Sequence, residues 1–191
     1  MIPLTHRQIE AENGTLSTAC VDRGIISFSS FIEWVEQLPY RRNSDRSDYS
    51  LVLTEECGAC STKNALVKAV ALENNWEDVQ LFLGIYKMSD KTNPGVGDIL
   101  SSYGLDEIPE AHTYLKINGE IRDVTGLPAG AESFEKTRFD EIAIEPNQIG
   151  DFKIAWHLEH LLAFANDKKF SLEKVIEIRE ACISFLGKDK K

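Results

Sequence analysis

No stretch of the 191-residue chain approaches the roughly 18 consecutive apolar residues that a bilayer-spanning helix requires. The opening Met1-Ile2-Pro3-Leu4-Thr5-His6-Arg7 lacks the apolar core of a secretory signal, so a soluble, cytoplasmic protein with no membrane partner is expected. Positive charge is in deficit: 21 Lys and Arg face 31 Asp and Glu, a formal charge of −10. Nucleic acid and anionic lipid both demand a basic surface, so neither is expected as the main partner. The local exception is Arg41, Arg42 and Arg46, beside Tyr40, which reads as a solvated loop. Cysteine is scarce as well. Cys20, Cys57, Cys60 and Cys182 are too few and too scattered for a disulfide framework, and reduced thiols are expected.

Metal and phosphate chemistry lack their signatures too. His157-Leu158-Glu159-His160 spaces two imidazoles by three residues, but the order His-Glu-x-x-His is absent and no third ligand cluster is visible; an exposed helical face is expected. Cys57 and Cys60 have no second cysteine pair to complete a structural zinc site. Gly95 and Gly97 are not followed by Lys-Ser/Thr, so a plain flexible loop is expected there rather than a phosphate cradle. No metal and no cofactor is called for.

What is present reads as one α+β unit spanning residues 1–191. An amphipathic helix runs from about Ser30 to Leu38 and closes at Pro39, and the polar stretch Arg41 to Asp48 is a loop; together they make an N-terminal part, residues 1–50. The short apolar run Tyr49–Leu53 reads as a strand, and Ala65, Leu66, Ala69, Val70 and Leu72 recur at helical spacing, so Cys60 falls where a loop becomes a helix. Val79 to Tyr86 reads as a buried strand. Asn118-Gly119, set between Ala111–Ile117 and Glu120–Thr125, signals a hairpin with a type I′ turn. The chain closes on two helices, Ile154–Phe164 and Leu172–Leu186, within residues 151–187. The second has Ser171 as N-cap, Phe170 and Val175 as a hydrophobic staple and Gly187 as C-cap; Lys188 to Lys191 form a frayed tail. Cys20 and Cys182 are expected to be packing residues.

A thiol at a helix N-terminus feels the partial positive charge of unpaired backbone N–H groups, which favours thiolate. Cys60 is thus a candidate nucleophile. With Asn118 and Gly119 as the turn, Ile117 pairs with Glu120, Tyr114 with Asp123 and His112 with Thr125. His112 and Asp123 then become diagonal neighbours on one face, while Leu115, Ile117 and Val124 take the face that packing demands. Nucleophile, base and orienting acid are all present in 51–126, the expected catalytic core.

Three stretches, Gly58–Leu66, Ala111–Leu115 and Arg122–Thr125, resemble the transglutaminase-like superfamily of papain-like cysteine enzymes. The resemblance implies a helix carrying the nucleophilic cysteine packed against an antiparallel sheet carrying His112 and Asp123, and acyl transfer through a thioester on Cys60. The product class is that of a cysteine protease or amidase, or of transfer to an amine, with a peptide or amide substrate. Where many members carry an aromatic soon after the histidine, Thr113 and Tyr114 stand here, and no calcium signature is visible. An oxyanion donor besides the Cys60 N–H is expected upstream, with Tyr40, Asn43 and Tyr49 as candidates. Two alternatives stay open. Cys57-Gly58-Ala59-Cys60 between a strand and a helix, with Ile108-Pro109 ahead of a hairpin, also fits a thioredoxin-like thiol-disulfide oxidoreductase, although Glu56 replaces the usual aromatic. A non-catalytic binding domain is the other.

Overall fold

The computed structural model describes residues 3–126 and 130–188. The fold is α+β: seven α-helices and a four-stranded antiparallel sheet are found among the described residues. In chain order these are α1 (Thr15–Asp22), α2 (Phe28–Gln37), α3 (Leu51–Glu55), α4 (Cys60–Glu73), β1 (Val79–Met88), α5 (Gly97–Ser102), β2 (Ile108–Ile117), β3 (Glu120–Arg122), β4 (Arg138–Ile144), α6 (Asp151–Lys168) and α7 (Leu172–Lys188). The strand order is β3-β2-β1-β4. No helix among the described residues is long and apolar enough to cross a membrane.

The chain divides into two compact units. The first comprises Met1–Phe82, Thr113–Gly126 and Ala143–Gly150. Its centre is α4, against which α1, α2 and α3 pack. Every residue of α4 from Cys60 to Ala71 is buried, so the helix has no solvent face until its last turn, where Leu72 is exposed. Burial of Leu66, Val67 and Val70, each 0% exposed, stabilises the unit by roughly 1.5–3 kcal/mol per side chain. Two lysines share this interior. Lys63 is 1% exposed, and its Nζ donates to the carbonyls of Leu38 (2.8 Å) and Glu36 (3.5 Å), the negative end of α2. α2 begins where Ser27 accepts from the Ser30 N–H, close to the start read from the sequence, and ends at Leu38 ahead of Pro39.

The second unit comprises Leu83–His112, Leu127–Ile142 and Asp151–Lys191, with α7 packed on α5 and α6. Its buried polar anchor is Glu110, which accepts from Arg179 Nε (2.6 Å) and Nη2 (2.7 Å) in a bidentate pair.

Several expectations need correction. Tyr49–Leu53 is not a strand: Leu51–Glu55 is helical and ends at Glu56, whose φ of +49° is left-handed. A run of five residues, four of them apolar, carries too little periodicity to separate the two states. The stretch around Gly95 and Gly97 is no plain loop, because Asp90 Oδ1 accepts from both glycine N–H groups at 2.8 and 3.1 Å and α5 starts there. Gly187 does not stop the last helix, which continues to Lys188; Asp189 to Lys191 lie outside the described residues. Ser171 does cap that helix, accepting from the Lys174 N–H at 3.2 Å.

Candidate active site

Cys60 opens α4, as expected, and is buried at 8% exposure. The residue before it, Ala59, has no side-chain oxygen with which to cap the helix. Thr62 compensates in part, its hydroxyl accepting the Ala59 N–H at 3.1 Å and donating to Asn43 Oδ1 at 2.7 Å. Ala59 makes no side-chain cap, and the sulfur sits at the positive end of the helix dipole.

One turn further, Asn64 fastens this helix to the hairpin. Its Nδ2 lies 2.9 Å from both the Cys60 and Thr113 carbonyls, 3.2 Å from Thr125 Oγ1 and 3.3 Å from Asp123 Oδ1. Two amide hydrogens serve these four acceptors, the two short contacts being the dominant ones. Its Oδ1 accepts the Val124 N–H at 3.4 Å. Asn64 is 0% exposed, so these contacts are made away from bulk solvent. The helix bearing Cys60 and the loop bearing Asp123 therefore share one buried amide.

The hairpin turn is as expected: Asn118 and Gly119 have φ of +54° and +83°, and Ile117 pairs with Glu120. The pairing expected beyond it is not all there. β3 ends at Arg122, opposite Leu115, so the pairs Tyr114 with Asp123 and His112 with Thr125 lie outside the ladder. Asp123 Oδ1 accepts the Thr125 N–H at 2.9 Å and its hydroxyl at 2.5 Å, an Asx-turn that draws the chain out of the strand. Nor is the His112 side of β2 spared by packing. Tyr114 is 0% exposed and stacks on Phe82 at 6.0 Å, because β2 is an interior strand.

His112 belongs to the second unit and is half-buried. Its ring lies 4.6 Å from that of Phe134 and meets Tyr86 edge-on at 6.3 Å, while Tyr86 and Phe134 touch at 6.1 Å. The Tyr86 hydroxyl donates to Asn93 Oδ1 at 3.0 Å. The aromatic surroundings of this histidine thus come from β1 and from a short 3-10 turn at Phe134, not from the residues that follow it. Nothing in the spacing of Tyr86 and Phe134 announces this.

Other sequence candidates take different places. Asn43 is buried and fully engaged: besides Thr62, it donates to Glu55 Oε2 at 2.9 Å and to the Cys57 carbonyl at 3.0 Å. Tyr40 is exposed and forms a parallel bridge with Gly58. Tyr49 lines a surface cavity with Asp48 and Glu73; burial, and then those two carboxylates, push its hydroxyl above the usual tyrosine value. Of the basic cluster, Arg42 and Arg46 are exposed, whereas Arg41 Nε donates to Cys57 Sγ at 3.3 Å.

All four cysteines are free thiols. Cys20 and Cys182 are 0% exposed, as packing residues should be. Burial pushes the Cys20 thiol up to about 12 and raises that of Cys182. The two imidazoles of α6 do not form the expected exposed face. His157 is buried, with Nε2 3.2 Å from the Pro109 carbonyl, and His160 Nε2 pairs with Asp140 at 2.8 Å. No group of three or more metal-ligating side chains occurs among the described residues.

The class in hand is an α+β protein with a cysteine at the head of a helix sheathed on all sides. Compared with known proteins, the chain matches no family model, no curated protein and no solved structure.

Proposed function

We propose that the chain is a cysteine-dependent acyl-transfer enzyme of transglutaminase-like, papain-like type, with Cys60 as nucleophile, His112 as general acid and base and Asp123 as orienter of the imidazole. The observation that carries this reading is Asn64, whose amide joins the first turn of the Cys60 helix to the Asp123 carboxylate. A second support is Asp123 itself, whose Oδ1 is fixed by Thr125 and so holds the carboxylate in one orientation. A third is the place of Cys60 at the N-terminus of α4, where the helix dipole favours a developing negative charge.

In this mechanism the Cys60 thiolate attacks the carbonyl carbon of a peptide or amide bond, and imidazolium His112 gives its proton to the departing amine. The C–N bond breaks and a thioester remains on Cys60. Water, deprotonated by His112, then attacks the thioester carbon and releases the acid and the thiol; a second amine in place of water gives transfer. Four free thiols suit a reducing, cytoplasmic setting. The thioredoxin-like alternative loses support, since the segment ahead of Cys57 is the helix α3 and not a strand.

Iodoacetamide labelling from pH 5 to 9, read by peptide mass, tests the proposal together with acylation by p-nitrophenyl acetate. Cys60 alkylates below neutrality and carries the acetyl group. His112→Ala removes both properties and Cys57→Ser leaves them in place. Alkylation of Cys60 no faster than an unstructured cysteine, with no acetyl adduct, rejects it.

A further inference from the structure

Cys57 plays no part in acyl transfer, yet it is built into the head of the same helix. It is 1% exposed against 8% for Cys60. Asn43 ties it to the first turn of α4, bonding the Cys57 carbonyl at 3.0 Å and Thr62 Oγ1 at 2.7 Å. Between the two cysteines, Gly58 is pressed so closely on that turn that a Cβ there would stand 2.8 Å from Lys63 Cγ and 3.0 Å from Thr62 Oγ1. The Arg41 guanidinium donates to the Cys57 sulfur at 3.3 Å. A buried thiol served by its own arginine, three residues from a more accessible thiol, is more than packing requires.

We propose that Cys57 and Cys60 form a hydroperoxide-oxidised disulfide, in which Cys60 takes the oxygen and Cys57, held by Arg41, resolves it and shuts off the nucleophile. The roles follow from access: the oxidant meets Cys60 first, and the shielded sulfur attacks second. The Cys60 thiolate attacks one oxygen of hydrogen peroxide, the O–O bond breaks, and hydroxide leaves and takes up a proton as water. The sulfur is now a sulfenic acid. The Cys57 thiolate attacks that sulfur, the S–S bond forms, the S–O bond breaks, and a second water departs. Two thiols have been oxidised and one peroxide reduced to two waters. A small dithiol restores both cysteines by exchange. This inference rests on Cys60 being the reactive thiol of the proposed enzyme, and protects it from the irreversible sulfinic state.

The full-length protein is treated with stoichiometric hydrogen peroxide, with and without dimedone, and mapped by peptide mass. A 57–60 disulfide forms, Cys20 and Cys182 stay reduced, and dithiothreitol reverses the link. Arg41→Gln slows closure roughly threefold or more, as expected for loss of the bond that holds the attacking sulfur, and dimedone-reactive Cys60 accumulates. Arg41→Lys restores most of the rate. Sulfinic acid on Cys60 with Cys57 still a thiol overturns the proposal, and so does an unchanged rate in Arg41→Gln. Cys57→Ser accumulates dimedone-reactive Cys60 and forms no link; should that variant fold poorly, as judged by circular dichroism, the Arg41 variants alone decide. Iodoacetamide labelling of the untreated protein separates the two readings. If the disulfide forms but His112→Ala leaves Cys60 reactivity unchanged, acyl transfer fails while the redox pair stands.

Discussion

Asn64→Ala is the perturbation with the most to say about the proposed site. The amide is fully buried, and its removal leaves the Thr113 carbonyl without the donor it has at 2.9 Å. The Cys60 carbonyl loses less, because the helix still supplies it with a backbone N–H. Asp123, Thr125 and the Val124 N–H lose longer contacts of 3.2 to 3.4 Å. One orphaned buried acceptor costs about 1–3 kcal/mol, and the weaker contacts add about 1 kcal/mol between them. A total of roughly 3 kcal/mol is a large share of the 5–15 kcal/mol that holds a domain folded. For a chain of this size it lowers Tm by about 6–12 °C. Differential scanning calorimetry and urea unfolding read the loss, and iodoacetamide labelling of Cys60 should slow in parallel. A Tm within about 1 °C of the parent would show that the amide does not fasten the helix to the hairpin.

Arg179→Met strands the buried Glu110 carboxylate and should destabilise by about 3–5 kcal/mol, whereas Arg179→Met with Glu110→Leu should recover most of that loss; urea unfolding of the double-mutant cycle tests it. Burial disfavours charge on His157 and, with Arg179 and Lys153 against the opposing pull of Glu110, holds it below its ordinary value. The unfolded chain therefore binds a proton that the folded chain refuses, so stability falls as pH drops below about 6.5. His157→Gln should flatten that fall in urea midpoints between pH 7.5 and 5; an unchanged slope sinks the assignment. Cys20 and Cys182 should resist Ellman's reagent until the chain unfolds, and native-state labelling of either would contradict their burial.

Local chemistry was readable from the sequence where a single residue type fixes the backbone. Asn118-Gly119 announced its turn through two positive φ angles, Ser171 its cap, and the apolar spacing after Cys60 the helix that follows. The fate of Asp123 was harder to see. Asp-x-Thr is an Asx-turn pattern, but it competes with the ladder that the alternation also supports, and the turn won. His157 was misread because its burial depends on Pro109, Glu110 and Arg179, partners too distant in sequence for periodicity to register. Nothing in α4's sequence separates a helix buried all round from one with a wet face, since Lys63 and Lys68 argue for solvent and find protein carbonyls or interior instead. Asn64 carried no signal at all.

Enclosure of α4 from Cys60 to Ala71 leaves the sulfur on a rod that cannot roll or tilt without disrupting the core around it. Its aim is set when the chain folds, so substrates must adapt to the thiol rather than the reverse. Most substitutions along twelve consecutive buried positions should then register first as lost yield of soluble protein, and only afterwards as altered chemistry.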